Sequence, residues 1–331
     1  MKGEMHMSVV IRAISSYVPP LRLTNEELAA RMDTTDEWIR SHTGIRARHI
    51  APDGMQASDL AVNAAKSALE KAKISPHDLD YIVVATATPD YFGFPATACV
   101  VQDKLGAYEA SAFDVAAGCT GFVYALNIAS SILESSHGGH ALVIGAECLS
   151  RVTDWSDRST AVLFGDGAGA AILSRIDEPG RGCLSFILGA DGSGAKDLYL
   201  VQPERTQAFS RQTPIVPTIS MNGKKVYDFA VKSITLAIER LLHKTAYRLE
   251  DFSWIVPHQA NARIVQAAAK RFSIPMEKIY MNIEEYANTS SASIPIALAE
   301  MDEKSLLKRN DLVMLVGFGA GLTYGAAVVR W

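Results

Sequence analysis

Three residues able to do nucleophilic or hydrogen-bonding chemistry stand at junctions between expected strands and helices, where an α/β fold exposes reactive groups. The first junction is Asp114-Val-Ala-Ala-Gly-Cys119-Thr-Gly-Phe. A short strand ends, small residues turn the chain, and a helix is expected from about Cys119 to Leu133. A thiol at a helix N-terminus meets unpaired amides and the positive end of the macrodipole, which favour thiolate. Small neighbours leave room for a substrate. The second junction is Val256-Pro-His258-Gln-Ala-Asn261-Ala-Arg263, where a histidine ends a buried strand just ahead of a helix. The third is Ala287-Asn288-Thr-Ser-Ser-Ala-Ser-Ile-Pro, in which Asn288 taken alone reads as a helix cap rather than a catalyst. A closing turn, Gly317-Phe-Gly-Ala-Gly321, has glycines that let backbone amides approach a ligand closely.

The elements that position these residues alternate. Strands are expected at Tyr81–Thr86, Ala112–Val115, Ala141–Gly145, Ala161–Phe164 and Ala168–Ser174, with a helix over Ala96–Leu105. Uninterrupted apolar runs between amphipathic stretches indicate an α/β protein with sheets covered on both faces. Thr24-Asn-Glu-Glu27 and Thr34-Thr-Asp-Glu37 both fit capping boxes, the second opening a short helix that carries Trp38. The grammar then repeats: Asp78-Leu-Asp-Tyr-Ile-Val-Val resembles Asp251-Phe-Ser-Trp-Ile-Val-Pro, and Phe164-Gly-Asp-Gly-Ala-Gly resembles Phe318-Gly-Ala-Gly. This suggests a duplication, residues 1–180 and 181–331, meeting where Glu178-Pro-Gly-Arg-Gly breaks the pattern. The polar stretch Gln202–Ser220 reads as a long functional loop.

Composition excludes several classes. A net charge of −4 over 331 residues argues against wholesale binding to nucleic acid or an anionic membrane. No apolar run is long enough to span a bilayer, and Met1–Ser8 leads into no signal-like apolar stretch. The four cysteines have no paired spacing, so neither a disulfide framework nor a zinc site is expected, and a reducing, cytoplasmic setting fits. Cys99, Cys148 and Cys183 read as small buried hydrophobes. His6, His42, His49, His77, His137, His140 and His243 lie in surface-like or loop contexts. No GxxxxGK[ST] occurs, and Gly165-Asp-Gly-Ala-Gly does not open a helix as a dinucleotide fingerprint should.

Taken in order, Thr34-Thr-Asp-Glu-Trp38, Thr43-Gly-Ile-Arg46, Cys119-Thr-Gly, Asp157-Arg158, Phe164-Gly-Asp-Gly, Pro257-His258-Gln-Ala-Asn261, Asn288-Thr-Ser and Phe318-Gly-Ala-Gly resemble the β-ketoacyl-acyl-carrier-protein synthase III family. The resemblance runs from about Val9 to Trp331. It implies a thiolase-like fold: two duplicated five-stranded βα halves in a layered αβαβα arrangement, assembled as a homodimer. It also implies decarboxylative condensation of a short-chain acyl-CoA with malonyl-acyl carrier protein, the initiating step of fatty-acid biosynthesis, with no metal or redox cofactor. Carried over motif by motif, Cys119 takes the acyl group, and the amides of Cys119 and Ala320 form an oxyanion hole. His258 and Asn288 donate to the malonyl thioester oxygen. Thr34, Trp38, Arg158 and Asn261 match CoA contacts; Phe164 matches a wall of the acyl pocket and Phe94 a lid lent by the neighbouring subunit. Arg263, Lys270 and Arg271 share a helix face suited to an acidic carrier protein.

Some positions depart from that pattern. His42 stands where relatives often carry Arg, Asp228 where Lys is common, and Ala287 and Ala320 where Gly is common. The loop Pro89–Pro95 is one residue longer. None of these is a member of the Cys–His–Asn set. Chalcone-synthase-type enzymes share that set but close with Gly-Phe-Gly-Pro-Gly. An acyltransferase that skips condensation would not need both His258 and Asn288, and a non-catalytic acyl binder would not need Cys119.

Overall fold

A computed structural model describes residues 8–136, 138–201 and 217–331. Most of the Gln202–Ser220 loop, His6, His137 and the stretch before Ser8 therefore lie outside the described residues. In chain order the elements are β1 (Ser8–Tyr17), β2 (Leu21–Thr24), α1 (Asn25–Ala29), α2 (Asp36–Thr43), β3 (Ala47–Ile50), α3 (Ala57–Ala72), β4 (Tyr81–Ala85), α4 (Thr97–Leu105), β5 (Ser111–Val115), α5 (Gly121–Ser135), β6 (His140–Cys148), α6 (Arg158–Ala161) and β7 (Asp166–Ile176). Then follow β8 (Gly182–Ala190), β9 (Leu198–Leu200), β10 (Ile219–Met221), α7 (Gly223–Thr245), β11 (Trp254–Pro257), α8 (Ala262–Phe272), α9 (Ile283–Tyr286), α10 (Ser293–Glu303), β12 (Leu312–Gly319) and β13 (Thr323–Arg330).

Two sheets carry the architecture. The first has the order β1-β7-β6-β4-β5, and the second, read from the corresponding edge, β8-β13-β12-β11. The pairings correspond strand for strand: two antiparallel ladders, β1–β7 and β7–β6, then a parallel one, β6–β4, mirrored by β8–β13, β13–β12 and β12–β11. A fifth strand is expected in each half, but among the described residues the second sheet has four. Its counterpart of β5 is a single parallel bridge, Ile255 to Ile279. Pro275 and the 3₁₀ turn Met276–Lys278 leave too little extended chain for more.

Alternation along the strands divides the core into three layers. In β4, Ile82 and Val84 face Leu60, Ala64 and Ala68 of α3, while Val83 and Ala85 face inward. In β12, Met314 and Val316 pack on α7 and α8, and Val313 and Leu315 turn inward. Between the sheets lie α5 and α10, with Phe122, Leu126, Ala297 and Leu298 in one apolar cluster. Every residue of α10 from Ser293 to Ala299 is buried, as befits a helix enclosed on all sides. Strands covered on both faces read as continuous apolar runs, since both phases of the period-two repeat are buried.

Three local expectations are corrected. Ala161–Phe164 is not a strand: Asp157 caps the short helix α6 by accepting the Ser159 amide, and only Phe164 bridges, in parallel, to Asn288. The cap of α2 is Thr35, whose hydroxyl accepts the Trp38 amide at 3.1 Å; the Thr24 capping box forms as expected. Cys99 is exposed on α4, whereas Cys148 and Cys183 are buried. Among the remaining histidines, His49 and His140 belong to strands, and His42 and His243 to helices.

Candidate active site

β5 delivers the chain to a 3₁₀ turn, Gly118–Thr120, and α5 begins two residues after Cys119. Gly118 has φ +53°, and a Cβ there would lie 2.8 Å from the Ala320 carbonyl oxygen. A Cβ on Gly319 would lie 2.7 Å from the Cys119 nitrogen. Two glycines thus let the Cys119 turn and the β12–β13 turn meet backbone to backbone, bringing the Ala320 amide to the thiol. The positive φ of that second turn falls on Gly321, at +135°, so Ala at position 320 carries no left-handed strain.

Asn288 occupies the corresponding junction of the second half, ahead of a 3₁₀ turn (Ser290–Ala292) and α10. The two 3₁₀ turns pack against each other. The Asn288 amide nitrogen donates to Leu163 at 2.9 Å, and Gly165 donates back to the Asn288 carbonyl at 3.1 Å. Its side-chain Oδ1 accepts the Ser290 amide at 2.8 Å. That bond fixes the carboxamide with Nδ2, the donor end, free of it. Ala287, just before it, holds φ 56° and ψ −156°, a region natural to glycine and strained by roughly 1–3 kcal/mol for any other residue.

His258 follows β11 and extends its ladder by one bond, its amide donating to Val316 at 2.8 Å. Its ring meets Phe318 edge-on at 5.1 Å, and Nδ1 lies 2.7 Å from Ser293 Oγ. Burial pushes the imidazole down to about 3, so it is neutral throughout the working range of pH. Burial also pushes the Cys119 thiol up to about 11; a hydroxyl contact from Ser290 opposes this, the charge of Glu147 reinforces it, and the amides of Ala320 and Cys119 pull it down. The expected thiolate therefore does not prevail at rest, because desolvation outweighs the turn's amides. The resting pair is neutral thiol and neutral imidazole.

A cavity opens at Cys119 and is walled by Phe164, Leu149, Val152, Leu198, Leu200 and Ile219. Ser290, Ala320 and Thr88 complete its lining. Phe164 lines this cavity, whereas Phe94 is 89% exposed and does not. Beneath the site, fully buried Glu147 accepts the hydroxyls of Thr88 and Ser291, each at 2.7 Å, and the amides of Ala87 and Thr88 at 3.0 and 3.1 Å. The sequence reading passed over Glu147, Ser290 and Ser293. A lone carboxylate in the apolar strand His140–Cys148 was the available signal.

The outer residues form a second group. Trp38 is stacked by His42, ring centroids 4.4 Å apart, and the Arg158 guanidinium lies over its ring at 4.9 Å. Arg158 also donates to the Asp33 carbonyl at 2.7 Å. Thr34 has its hydroxyl buried and without a hydrogen-bond partner among the described residues. Asn261 caps α8, accepting the Arg263 amide at 2.8 Å and donating to the His42 carbonyl at 3.1 Å. Arg263, Lys270 and Arg271 are exposed along α8; Arg263 also donates to the Ser41 carbonyl, and Arg271 lies 3.9 Å from Glu239. Asp228 pairs with Lys224 on α7 at 3.1 Å.

Known proteins are similar to this chain in sequence and fold. Residues 113–192 match the family model described as 3-oxoacyl-[acyl-carrier-protein (ACP)] synthase III, and residues 242–331 match the model of its C-terminal part. The β-ketoacyl-[acyl-carrier-protein] synthase III of Clostridium novyi (strain NT) is 47% identical, over 98% of this chain and 99% of its own. Its namesake in Caldanaerobacter subterraneus is 47% identical over 97% of each. Among solved structures, the Thermus thermophilus synthase III superposes with a TM-score of 0.90 at 42% identity, covering 97% of this chain and 99% of its own. A priming β-ketosynthase of the R1128 polyketide pathway also gives 0.90, at 33% identity, over 98% of this chain and 96% of its own.

Proposed function

On the footing that this chain belongs to the 3-oxoacyl-[acyl-carrier-protein] synthase III family, with its thiolase fold, we propose the following assignment of its chemistry. The enzyme is an acyltransferase that condenses a short-chain acyl-CoA with malonyl-acyl carrier protein and so initiates fatty-acid biosynthesis. The Cys119 sulfur attacks the acyl-CoA carbonyl, CoA leaves as the thiol, and the acyl group rests on the enzyme as a thioester. The amides of Cys119 and Ala320 hold the oxyanion of each tetrahedral intermediate. Malonyl-carrier protein then loses carbon dioxide; the bond's electrons form an enolate whose oxygen is held by Asn288 Nδ2 and His258 Nε2. The enolate carbon attacks the acyl carbonyl, giving 3-oxoacyl-carrier protein and freeing Cys119. The scheme calls on no metal or redox cofactor.

One observation carries this reading. Asn288 has its acceptor end tied back by the Ser290 amide, leaving a donor, and His258 is held neutral by burial. Neutral donors suit an enolate oxygen. A simple acyl transfer would require neither. The test is product analysis: purified enzyme given malonyl-carrier protein and a panel of straight and branched short acyl-CoAs releases carbon dioxide and forms 3-oxoacyl-carrier protein. Acyl transfer without carbon dioxide release would replace this reading with the acyltransferase one.

The remaining assignments follow from the outer site. Residues 1–180 and 181–331 are taken as the two halves, the first bringing Cys119 and the second His258 and Asn288. Trp38 and Arg158 are assigned to the CoA adenine, with Thr34 and Asn261 as flanking contacts. A base stacked between two groups needs about two van der Waals separations, roughly 7 Å. Adenine binding therefore displaces Arg158 from its 4.9 Å perch and from the Asp33 carbonyl. A homodimer is supported by β5, an outermost strand of its sheet, and by Tyr91, Phe92 and Phe94, exposed on the loop after β4. In it Phe94 would close the partner's acyl pocket. No helix among the described residues is long and apolar enough to cross a membrane, and the free thiols support a cytoplasmic setting.

The basic face of α8 is assigned to carrier-protein docking. Reversing charge at Lys270 and Arg263 raises KM for malonyl-carrier protein about tenfold at low salt, less at high salt, and leaves KM for acyl-CoA unchanged. Lys270→Glu is the cleaner single probe, because Arg263 also holds the Ser41 carbonyl of α2. Equal effects on both substrates would reject the docking role.

A further inference from the structure

The enolate reading requires a proton on His258 Nε2, and a neutral imidazole carries its proton on either nitrogen. Something must choose. The ring's other nitrogen, Nδ1, lies 2.7 Å from the hydroxyl of Ser293, the first residue of α10. Ser293 is 2% exposed, and among the described residues its hydroxyl meets only this ring nitrogen and the Gln259 amide. The same oxygen receives the Gln259 amide proton at 3.4 Å. An oxygen that already accepts a proton from one side has its own proton to give, and Nδ1 is its close neighbour.

The surroundings of this hydroxyl are fixed. The Gln259 carboxamide donates to the Pro257 and Tyr280 carbonyls at 2.8 and 3.2 Å and accepts the Asn282 amide at 3.2 Å, so it cannot turn to compete for the ring. His258's own amide is committed to Val316. We propose that Ser293 is a positioning residue: its hydroxyl donates to His258 Nδ1, holds the imidazole as the Nε2–H tautomer, and thereby makes His258 a donor rather than an acceptor at the enolate oxygen. This inference rests on the condensation reading for its purpose, though not for its geometry. It gives both donors one design. Asn288 is oriented by the Ser290 amide and His258 by the Ser293 hydroxyl, from a single six-residue segment.

The decisive measurement uses protein with ¹⁵N-labelled histidine, the His258 signals being assigned by their loss in His258→Asn. In the wild type Nε2 shows a proton-bearing, pyrrole-type resonance, and Nδ1 an unprotonated nitrogen accepting a hydrogen bond. In Ser293→Ala part of the population moves to Nδ1–H, carbon dioxide release falls about 10²-fold, and acyl loading from acyl-CoA is unchanged. Ser293→Cys, whose thiol is a weak donor, lies between the two. A wild-type ring protonated at Nδ1 overturns the proposal, as does a Ser293→Ala protein that keeps Nε2–H and its rate. If Ser293→Ala does not fold, the wild-type spectrum and Ser293→Cys still decide. A wild type that releases no carbon dioxide would overturn the condensation reading, while the tautomer measurement stands by itself.

Discussion

Cys119→Ala yields a folded protein that takes up no acyl group from acyl-CoA. In the wild type, intact-mass and peptide analysis after incubation with acyl-CoA finds one acyl group, on Cys119. The other thiols act as internal controls. Cys148 and Cys183 are buried, and Cys99 is exposed but stands on α4, away from the cavity. Removing one sulfur from a turn costs little packing, so loss of labelling reports chemistry rather than unfolding. Because burial lifts the Cys119 thiol to about 11, its alkylation by a neutral reagent in the resting enzyme accelerates about tenfold per pH unit until that value is approached. A stable acyl adduct on Cys99 instead, surviving in Cys119→Ala, would sink the assignment.

Asn288→Ala loses carbon dioxide release by roughly 10²–10³ while still loading from acyl-CoA. His258→Ala behaves alike. The split follows from the proposed division of labour. In it the acyl carbonyl is served by backbone amides that neither substitution touches, whereas the malonyl oxygen depends on two side chains. Asn288→Asp sharpens the comparison: it keeps the shape and an oxygen for the Ser290 amide but offers no donor, and it is expected to be as slow as alanine. The readout is ¹⁴CO₂ release from labelled malonyl-carrier protein beside acyl-enzyme formation in the same preparations. Wild-type release by Asn288→Ala would show that the enolate oxygen is held by something else.

The three residues proposed as catalytic stood out because each interrupts a pattern: Cys119, His258 and Asn288 lie where strand or turn gives way to helix. The Asp78 and Asp251 lead-ins likewise marked strands that prove equivalent, β4 and β11. Short apolar runs were less informative. Ala161–Phe164 has a strand's composition, but Asp157 starts a helix ahead of it and leaves only Phe164 to pair. The protonation state of Cys119 was also out of reach, since a turn's amides are readable from sequence and the depth of burial is not. Ser293 and the walls from Leu198, Leu200 and Ile219 carry no spacing signal, because their roles arise only when distant segments meet.

Glu147 joins two properties that an engineer would wish to vary separately. Thr88 lines the acyl cavity and gives both its amide and its hydroxyl to that carboxylate, while Ser291, three residues past Asn288, gives both of its own. Shortening Thr88 to widen the cavity strips a donor from a buried acceptor, a loss of about 1–3 kcal/mol that the turn next to Asn288 must absorb. Substrate range altered from that wall is therefore coupled to turnover with every substrate. The hydrocarbon part of the lining is different in kind. Leu198 and Leu200 of β9 and Ile219 of β10 present only hydrocarbon, so chain-length preference can drift there by packing alone, leaving the reaction's machinery undisturbed.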